Sequence, residues 1–319
     1  GIAPDSPRRI KAGILHTLTE AAGQGQMFLP KAELIERATE LLKVEADAIE
    51  AALAESAHEA SVILENEDVC LPVLHEEEIG VAAALVRLKD APKSLLTIKA
   101  EAAAPWCEKQ FGIAFSDQQR EALIEALDAP VFVITGGPGT GKTTLIRSLV
   151  TVFEKKGLRG KLAAATGRAA TRMEAAPGHH AQTIHRMLEF SPRTREFTHN
   201  QLNPLDLDVL VVDETSMVDV PLMDALLKAM PDESRLYLVG DVDQLPSVGP
   251  GTALMDIIAS NVVPCARLTS VFRQASESGI IAAAHAINRG ETPRANTTDF
   301  FIIERDTPEK IQETVVELV

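Results

Sequence analysis

Residues 131–144 read VFVITGGPGTGKTT, an apolar run followed by a glycine-rich turn, a lysine and two threonines. The run 131–134 predicts a buried strand, and the residues from Thr144 onward have the apolar spacing of a helix. Between them, the pattern G-x-x-x-x-G-K-T at 136–143 predicts a loop whose backbone N–H groups hold phosphates at a helix N-terminus. This order of strand, loop and helix indicates an α/β fold with a parallel sheet.

The loop chemistry predicts nucleotide binding. Glycines allow the backbone to close on the phosphates, Lys142 supplies a point charge to the β- and γ-phosphates, and the Thr143 hydroxyl can ligate Mg²⁺. The expected nucleotide-binding residues of the loop are Gly137, Pro138, Gly139, Thr140, Gly141, Lys142, Thr143 and Thr144.

The same rhythm of short apolar runs and helix-length segments continues along the chain. Runs at 161–165, 209–212, 236–239 and 262–268 predict further buried parallel strands. Because ligands of such sheets bind at the carboxyl ends of the strands, the residues that follow each run are the candidates for chemistry.

A carboxylate pair follows the run 209–212. Asp213 can hold Mg²⁺ and Glu214 can orient or deprotonate the attacking water, which is the second half of a phosphate-loop site. After the run 236–239, Gln244 lies in another polar loop, where its amide can contact a phosphate without adding charge.

Composition indicates a globular protein. The 319 residues are 45% hydrophobic and 24% charged, and no apolar stretch approaches the length of a membrane span. The cysteines at 70, 107 and 265 have no metal-site spacing, which fits a reduced cytoplasm. The net charge of −15 argues against a generally basic nucleic-acid-binding surface.

One block departs from that acidic balance. Residues 151–200 hold nine basic and four acidic side chains, together with four of the eight histidines. The block predicts either a face that meets an anion or a solvated surface.

The first hundred residues show no catalytic pattern. Apolar spacing predicts helices at 10–22, 31–42, 46–56 and 76–88, and runs at 60–64 and 69–74 around a polar tip predict a hairpin. A structural or interaction role is expected there.

The ordered motifs between residues 115 and 290 resemble those of superfamily 1 DNA helicases of the RecD type, the exonuclease V alpha subunit and its stand-alone relatives. The resemblance rests on FSDQQR at 115–120, the loop at 136–143, AAATGRAA at 163–170, QTIHRML at 182–188, DETSM at 213–217, the loop at 240–251 and LTSVFRQ at 268–274. The family's later motifs are absent, and the usual proline is replaced by Ala165.

The resemblance implies roles for individual residues. Gln119 would contact adenine, Gln244 would contact the γ-phosphate, and Arg273 would be an arginine finger from a second RecA-like domain. Lys142 and Glu214 complete the implied catalytic set. Thr166, Arg168, Thr183, His185 and Arg186 would grip the backbone of single-stranded DNA, and an insertion at about 189–203 would form a hairpin that meets the duplex.

The resemblance also implies a domain organisation. We expect a helical N-terminal domain at 1–104, a RecA-like motor domain at 105–267, and the start of a second RecA-like domain at 268–319, with a strand at 300–303 and a helix at 308–319. The chain is therefore expected to be a fragment of a longer helicase.

The predicted function is an ATP- and Mg²⁺-dependent 5′ to 3′ DNA helicase that acts on single-stranded DNA and its junctions with duplex, in the cytoplasm, without a membrane. Nuclease or repair subunits are the candidate protein partners. Two alternatives remain: a phosphate-loop ATPase that remodels RNA or protein, and a nucleotide-binding module without turnover.

Overall fold

The computed structural model describes residues 3, 5–91, 99–174, 180–270, 278–295 and 297–318, without the side chain of Glu174. The chain divides into two compact units. One comprises Gly1–Gly136 and Lys142–Leu268, and the other comprises Gly137–Gly141 and Thr269–Val319.

The N-terminal part of the larger unit has its own hydrophobic core. Helices α1 (Pro7–Gly23), α2 (Lys31–Leu42) and α3 (Ala46–His58) pack with strands β1 (Phe28–Pro30), β2 (Ile63–Glu65) and β3 (Asp68–Cys70). The strands form an antiparallel sheet in the order β1-β3-β2. The predicted helices and hairpin are confirmed, whereas β1 was not predicted because a three-residue strand has no periodicity of its own.

The next helix, α4 (Pro72–Asp90), packs on a different core. Its buried residues Val81, Leu85 and Leu88 join the hydrophobic cluster on one face of the large sheet. Helix α4 is thus a packing element of that sheet, and the predicted domain boundary at 104 remains a prediction.

Six parallel strands form the large sheet, in the order β11-β4-β10-β9-β5-β6. Three or more consecutive residues are buried in β4, β5, β9 and β10, as expected for strands covered on both faces. The predicted parallel α/β fold is confirmed. The six strands are β4 (Val131–Gly136), β5 (Gly160–Ala164), β6 (Ala181–Thr183), β9 (Val209–Asp213), β10 (Arg235–Gly240) and β11 (Cys265–Leu268).

Two details of the sheet differ from the sequence prediction. Strand β6 is additional, because a strand of only three residues is too short to show an alternating pattern of its own. Strand β11 begins at Cys265 instead of residue 262, since the preceding residues lead into it and only Cys265–Leu268 pair with β4.

Helices cover the sheet, and some of them begin at side-chain caps. At the start of α6, Ser116 and Gln119 form a reciprocal capping box. The helices that accompany the sheet are α5 (Ala100–Phe111), α6 (Asp117–Asp128), α7 (Lys142–Lys155), α8 (Gly167–Glu174), α9 (Ile184–Met187), α10 (Val220–Lys228) and α11 (Ala253–Ser260).

The predicted hairpin between the motifs is present. Strands β7 (Phe190–Ser191) and β8 (Glu196–Phe197) pair antiparallel, with Phe190 opposite Phe197. The four residues between them are exposed.

The smaller unit contains α12 (Gly279–Asn288) and α13 (Pro308–Leu318). The helix predicted at 308–319 is confirmed over its described residues, but the strand predicted at 300–303 is wrong. Within the described part of this unit no strand forms, because an extended segment needs a hydrogen-bonded neighbour and Phe301 is 61% exposed. No helix among the described residues is long and apolar enough to cross a membrane.

Candidate nucleotide and nucleic-acid site

The parallel sheet gathers the predicted chemistry at one edge. Strands β4, β10 and β9 are neighbours, and their carboxyl ends lead into the phosphate loop, Asp241 and the Asp213-Glu214 pair. On the other side of β9, strands β5 and β6 lead into the two segments predicted to bind DNA. The strand order therefore divides the candidate site along this edge into two halves. The ATP half follows β4, β10 and β9, and the DNA half follows β5 and β6.

The phosphate loop Gly137–Gly141 connects β4 to α7 along the chain. Gly139 and Gly141 have φ angles of +75° and +89°, a left-handed region that side chains with a Cβ rarely adopt. The Thr140 hydroxyl donates to the Gly137 carbonyl at 2.8 Å. These features curve the loop, and Pro138 is exposed in it.

Lys142 lies at the first position of α7, and its Nζ donates to the carbonyl of Gly136. Burial lowers the pKa of the Lys142 ammonium. The negative charges of Asp241, Asp213 and Glu214 act in the opposite direction without cancelling the effect. The lysine therefore lies among three carboxylates in a partly desolvated position, where an anionic phosphate would be bound strongly.

Asp213 ends β9 and is only 7% exposed. Its Oδ1 accepts the backbone N–H of Glu214 at 2.9 Å. Burial raises the pKa of Asp213, and that hydrogen bond opposes the shift. The backbone of Glu214 is left-handed, with φ 53° and ψ 39°, which turns the chain sharply as it leaves the strand.

Gln244 contacts Asp241. The Nε2 of Gln244 donates to Oδ2 of Asp241 at 3.1 Å, while Oδ1 of Asp241 accepts the backbone N–H of Asp243, also at 3.1 Å. Asp241 is buried at the end of β10. Asp241 thus holds the amide of Gln244 near the carboxyl end of β10, and the contact of Gln244 with a γ-phosphate remains a prediction.

The proposed Mg²⁺ ligands share one small space. Thr143 and Asp213 both line a cavity of about 20 Å³, which is room for about one water-sized group. Among the described residues, no three His, Cys, Asp or Glu side chains are grouped to hold a metal. A hydroxyl and a buried carboxylate fit Mg²⁺, which commonly binds few protein oxygens and completes its shell with water and phosphate.

Two further predicted nucleotide-binding residues have visible structural roles. The buried Gln119 accepts the backbone N–H of Ser116 at 3.0 Å through Oε1, as part of the α6 cap. Thr144 lies in the first turn of α7, and its carbonyl accepts the Ser148 hydroxyl at 2.8 Å. Their contacts with a nucleotide remain predictions.

The predicted DNA-binding threonines cap helices. Thr166 accepts the backbone N–H of Ala169 at 3.3 Å, and Thr183 accepts that of Arg186 at 3.2 Å. Arg168 and Arg186 are exposed near the starts of α8 and α9. Both arginines therefore follow carboxyl ends of neighbouring strands, at the same sheet edge.

His185 contacts the hairpin. Its ring lies 5.5 Å from the ring of Phe190, edge-on, and 5.8 Å from that of Phe197, with 5.1 Å between the two phenylalanines. These centroid distances are typical of packed aromatic pairs. His185 thus anchors the base of the hairpin, in addition to its predicted DNA contact.

Comparison with known proteins identifies sequence relatives of this chain. The AAA domain family matches residues 119–250. The chain is 34% identical over 308 residues to the ATP-dependent RecD2 DNA helicase of Deinococcus radiodurans, an alignment that covers 92% of this chain and 42% of that protein. The chain is RecD-like.

A second sequence relative and one solved structure are also similar to this chain. The RecBCD enzyme subunit RecD of Mycolicibacterium smegmatis is 41% identical over 189 residues, which cover 52% of this chain and 34% of that subunit. The chain thus spans less than half the length of both relatives. A crystal structure of the Pif1 helicase from Candida albicans aligns with a TM-score of 0.45 and 25% identity, covering 57% of this chain and 45% of that one.

Sequence reasoning did not single out three residues that contact predicted site residues. Asp241 had the same signal as Asp213, an acidic residue directly after a buried strand. Arg172 pairs with Glu214, and His285 packs against the phosphate loop, where its Cε1 would lie 2.9 Å from a Cβ at Gly137. No local pattern indicates these last two contacts, because each joins segments far apart in the chain.

The predicted arginine finger of the RecD-like chain, Arg273, lies outside the described residues. Its role remains a prediction from the motif alone.

Proposed function

We propose that this chain is the motor part of an ATP-dependent DNA helicase of the RecD type, which couples ATP hydrolysis to movement along single-stranded DNA. Movement from 5′ to 3′ and assembly with nuclease or repair subunits are included in the proposal on the strength of the family resemblance.

One observation carries this proposal. Asp213, Ala164 and Thr183 are register partners across the adjacent strands β9, β5 and β6. Adjacent strands lie about 4.8 Å apart, so the catalytic carboxylates and the DNA-binding segments follow strand ends separated by one or two strand spacings. A change at one half of the edge can therefore reach the other half through the hydrogen-bonded strands between them.

The residues divide the ATP chemistry among them. Lys142 would neutralise charge on the β- and γ-phosphates, and Gln244 would contact the γ-phosphate. Glu214 would hold the attacking water and accept its proton. Thr143 and Asp213 would hold Mg²⁺, which supplies charge neutralisation at the phosphates when bound.

The DNA half of the edge would bind the strand by its backbone. Arg168 and Arg186 supply charge, and the hydroxyls of Thr166 and Thr183 add hydrogen bonds. Such contacts are independent of base sequence and sensitive to salt. The hairpin would meet the duplex where the strands separate.

Phosphate release tests this proposal. We expect ATP hydrolysis that DNA oligonucleotides stimulate more than RNA of the same length, and Lys142→Ala should lower ATP affinity by about tenfold or more, because a charge-assisted contact is lost. Lys155→Ala, at the exposed end of the same helix, is the matched control and should behave as wild type.

Three results would contradict the proposal. DNA-stimulated release that survives Lys142→Ala would remove the phosphate loop from the mechanism. Equal stimulation by RNA would favour an RNA-remodelling ATPase. Tight ATP binding without release in the full-length protein would indicate a binding module. Duplexes with a single-stranded 5′ or 3′ tail test the direction of movement.

A further inference from the structure

Glu214, the proposed base, is held by a side chain from the DNA half of the edge. Arg172 Nη2 donates to Glu214 Oε1 and forms an ion pair with it. The Glu214 side chain is 16% exposed, whereas that of Arg172 is 64% exposed. The arginine therefore covers the carboxylate from the solvent side and can leave without unpacking the core.

The Arg172–Glu214 pair lies beside the residues proposed to bind ATP and Mg²⁺, and its charges act on them. The Arg172 charge acts to lower the pKa of both Asp213 and Lys142. Arg172, Thr143 and Asp213 also line the same small cavity. With Oε1 of Glu214 occupied by Arg172, that oxygen is not available to hold an attacking water.

Helix α8 joins this pair to the DNA half. The helix follows β5, the neighbour of β9, and begins directly after Thr166. Arg168 and Arg172 are four residues apart on it, so they share one face and lie about 6 Å apart along the axis. Both are exposed. A single strand of DNA with one phosphate on Arg168 would thus bring another phosphate within reach of Arg172.

We propose that Arg172 is a positioning residue that exchanges partners: it binds Glu214 in the absence of DNA and a backbone phosphate when single-stranded DNA lies along α8. This inference rests on the proposed function. DNA binding would then free Glu214 to orient and deprotonate the attacking water, so that ATP is hydrolysed chiefly when single-stranded DNA is bound.

The exchange predicts a coupling that is measurable without turnover. Glu214→Gln keeps the shape of the side chain and removes the charge that competes for Arg172. We expect this variant to bind a fluorescent oligothymidylate about threefold or more tightly, and the slope of log affinity against log salt to steepen by about 0.7, one added phosphate contact. In an Arg172→Ala background, Glu214→Gln should give no such gain, whereas Arg172→Lys should restore part of it.

A matched ion pair serves as the control. Asp232, in the turn before β10 at the opposite sheet edge, pairs with Arg87. Asp232→Asn, alone and combined with Arg87→Ala, should leave oligonucleotide affinity unchanged. Circular dichroism and thermal melting of every variant establish that it is folded.

The outcomes separate the two proposals. If Glu214→Gln tightens oligonucleotide binding equally with and without Arg172, the gain comes only from the loss of a negative charge near the DNA. That result would overturn the exchange. No change in affinity in Glu214→Gln also overturns it, while DNA binding itself stands. If folded wild-type protein does not bind the oligonucleotide, the proposed function fails and the exchange fails with it.

A second readout concerns hydrolysis. Arg172→Ala should raise phosphate release without DNA and reduce the stimulation ratio, because Glu214 is then free in both states. An unchanged ratio would contradict the exchange.

Discussion

Individual residues at the carboxyl ends of the parallel strands carry charges that burial disfavours. The buried carboxylate of Asp213 has a raised pKa and the Lys142 ammonium a lowered one, both first because of burial. Each group is thus less stable in its charged form here than in water. Such residues favour ligand binding at some cost to folding stability.

Neutralising Asp213 should stabilise the ligand-free protein. Since its folded pKa lies above the ordinary value of 3.8, its contribution to stability is greatest below that value and is lost as the pH rises through the folded pKa. At neutral pH, Asp213→Asn should therefore raise Tm by about 2 °C or more, and its Oδ1 can still accept the Glu214 N–H. Mg²⁺-ATP should no longer stabilise this variant.

Asp208 supplies the opposite control. Hydrogen bonds from Arg159 lower the pKa of Asp208, so its charge stabilises the fold at pH values above its ordinary range, and this contribution is lost as the pH falls. Asp208→Asn should lower Tm by about 2 °C at neutral pH. If thermal melting moved both variants in the same direction, the assignment of these charges would be wrong.

At the scale of elements, the hairpin depends on its neighbours. Strands β7 and β8 pair over two residues each, which is too short to be stable alone. The rings of His185, Phe190 and Phe197 pack at its base, so α9 and the hairpin form one aromatic cluster. A force on the hairpin would therefore reach the segment that follows β6.

Phe197→Ala should loosen the hairpin and spare the rest of the fold. Losing two aromatic contacts should accelerate amide hydrogen exchange at 189–199 by about tenfold. DNA-stimulated phosphate release should persist while unwinding of a forked duplex slows. Leu202→Ala, at a residue 96% exposed, is the control and should change neither. Unwinding at the wild-type rate in Phe197→Ala despite faster exchange would show that the hairpin is a surface loop.

At the scale of the whole molecule, a chain with a net charge of −15 divides its basic block, residues 151–200, between the two edges of the large sheet, with Arg168 and Arg186 at the carboxyl ends of the strands. Parallel pairing places the carboxyl ends of all strands of the large sheet at the same edge. Strand β5 illustrates the consequence, because Arg159 precedes it and Arg168 follows it, at opposite edges of the sheet. Arg159 is paired with Asp206 and Asp208.

These two arginines test where DNA lies. Arg168→Ala should weaken binding of single strands of any sequence and reduce the salt slope by about 0.7, the loss of one phosphate contact. Arg159→Ala should leave both quantities unchanged, because its edge is distant from the proposed path. Fluorescence anisotropy over a salt series measures them. A slope that changes with Arg159 alone would place DNA at the opposite edge.

Much of the fold follows from local sequence. Helix α2 has the predicted bounds, and the phosphate loop follows the predicted strand and precedes the predicted helix. Buried apolar runs, helix periodicity and the glycine pattern act over a few residues, so they can be read without knowing the fold. The same locality identified Lys142, Asp213 and Glu214 as candidates.

The tertiary structure alone decided which segments are neighbours. The sequence does not show that β9 lies between β10 and β5, that α4 packs on the large sheet, or that β6 adds a sixth strand. Nor does it show that Arg172 binds Glu214 across 42 residues, or that His185 packs against Phe197. Such contacts depend on strand order and on packing between distant segments, where the gain from burial and charge pairing exceeds any local preference.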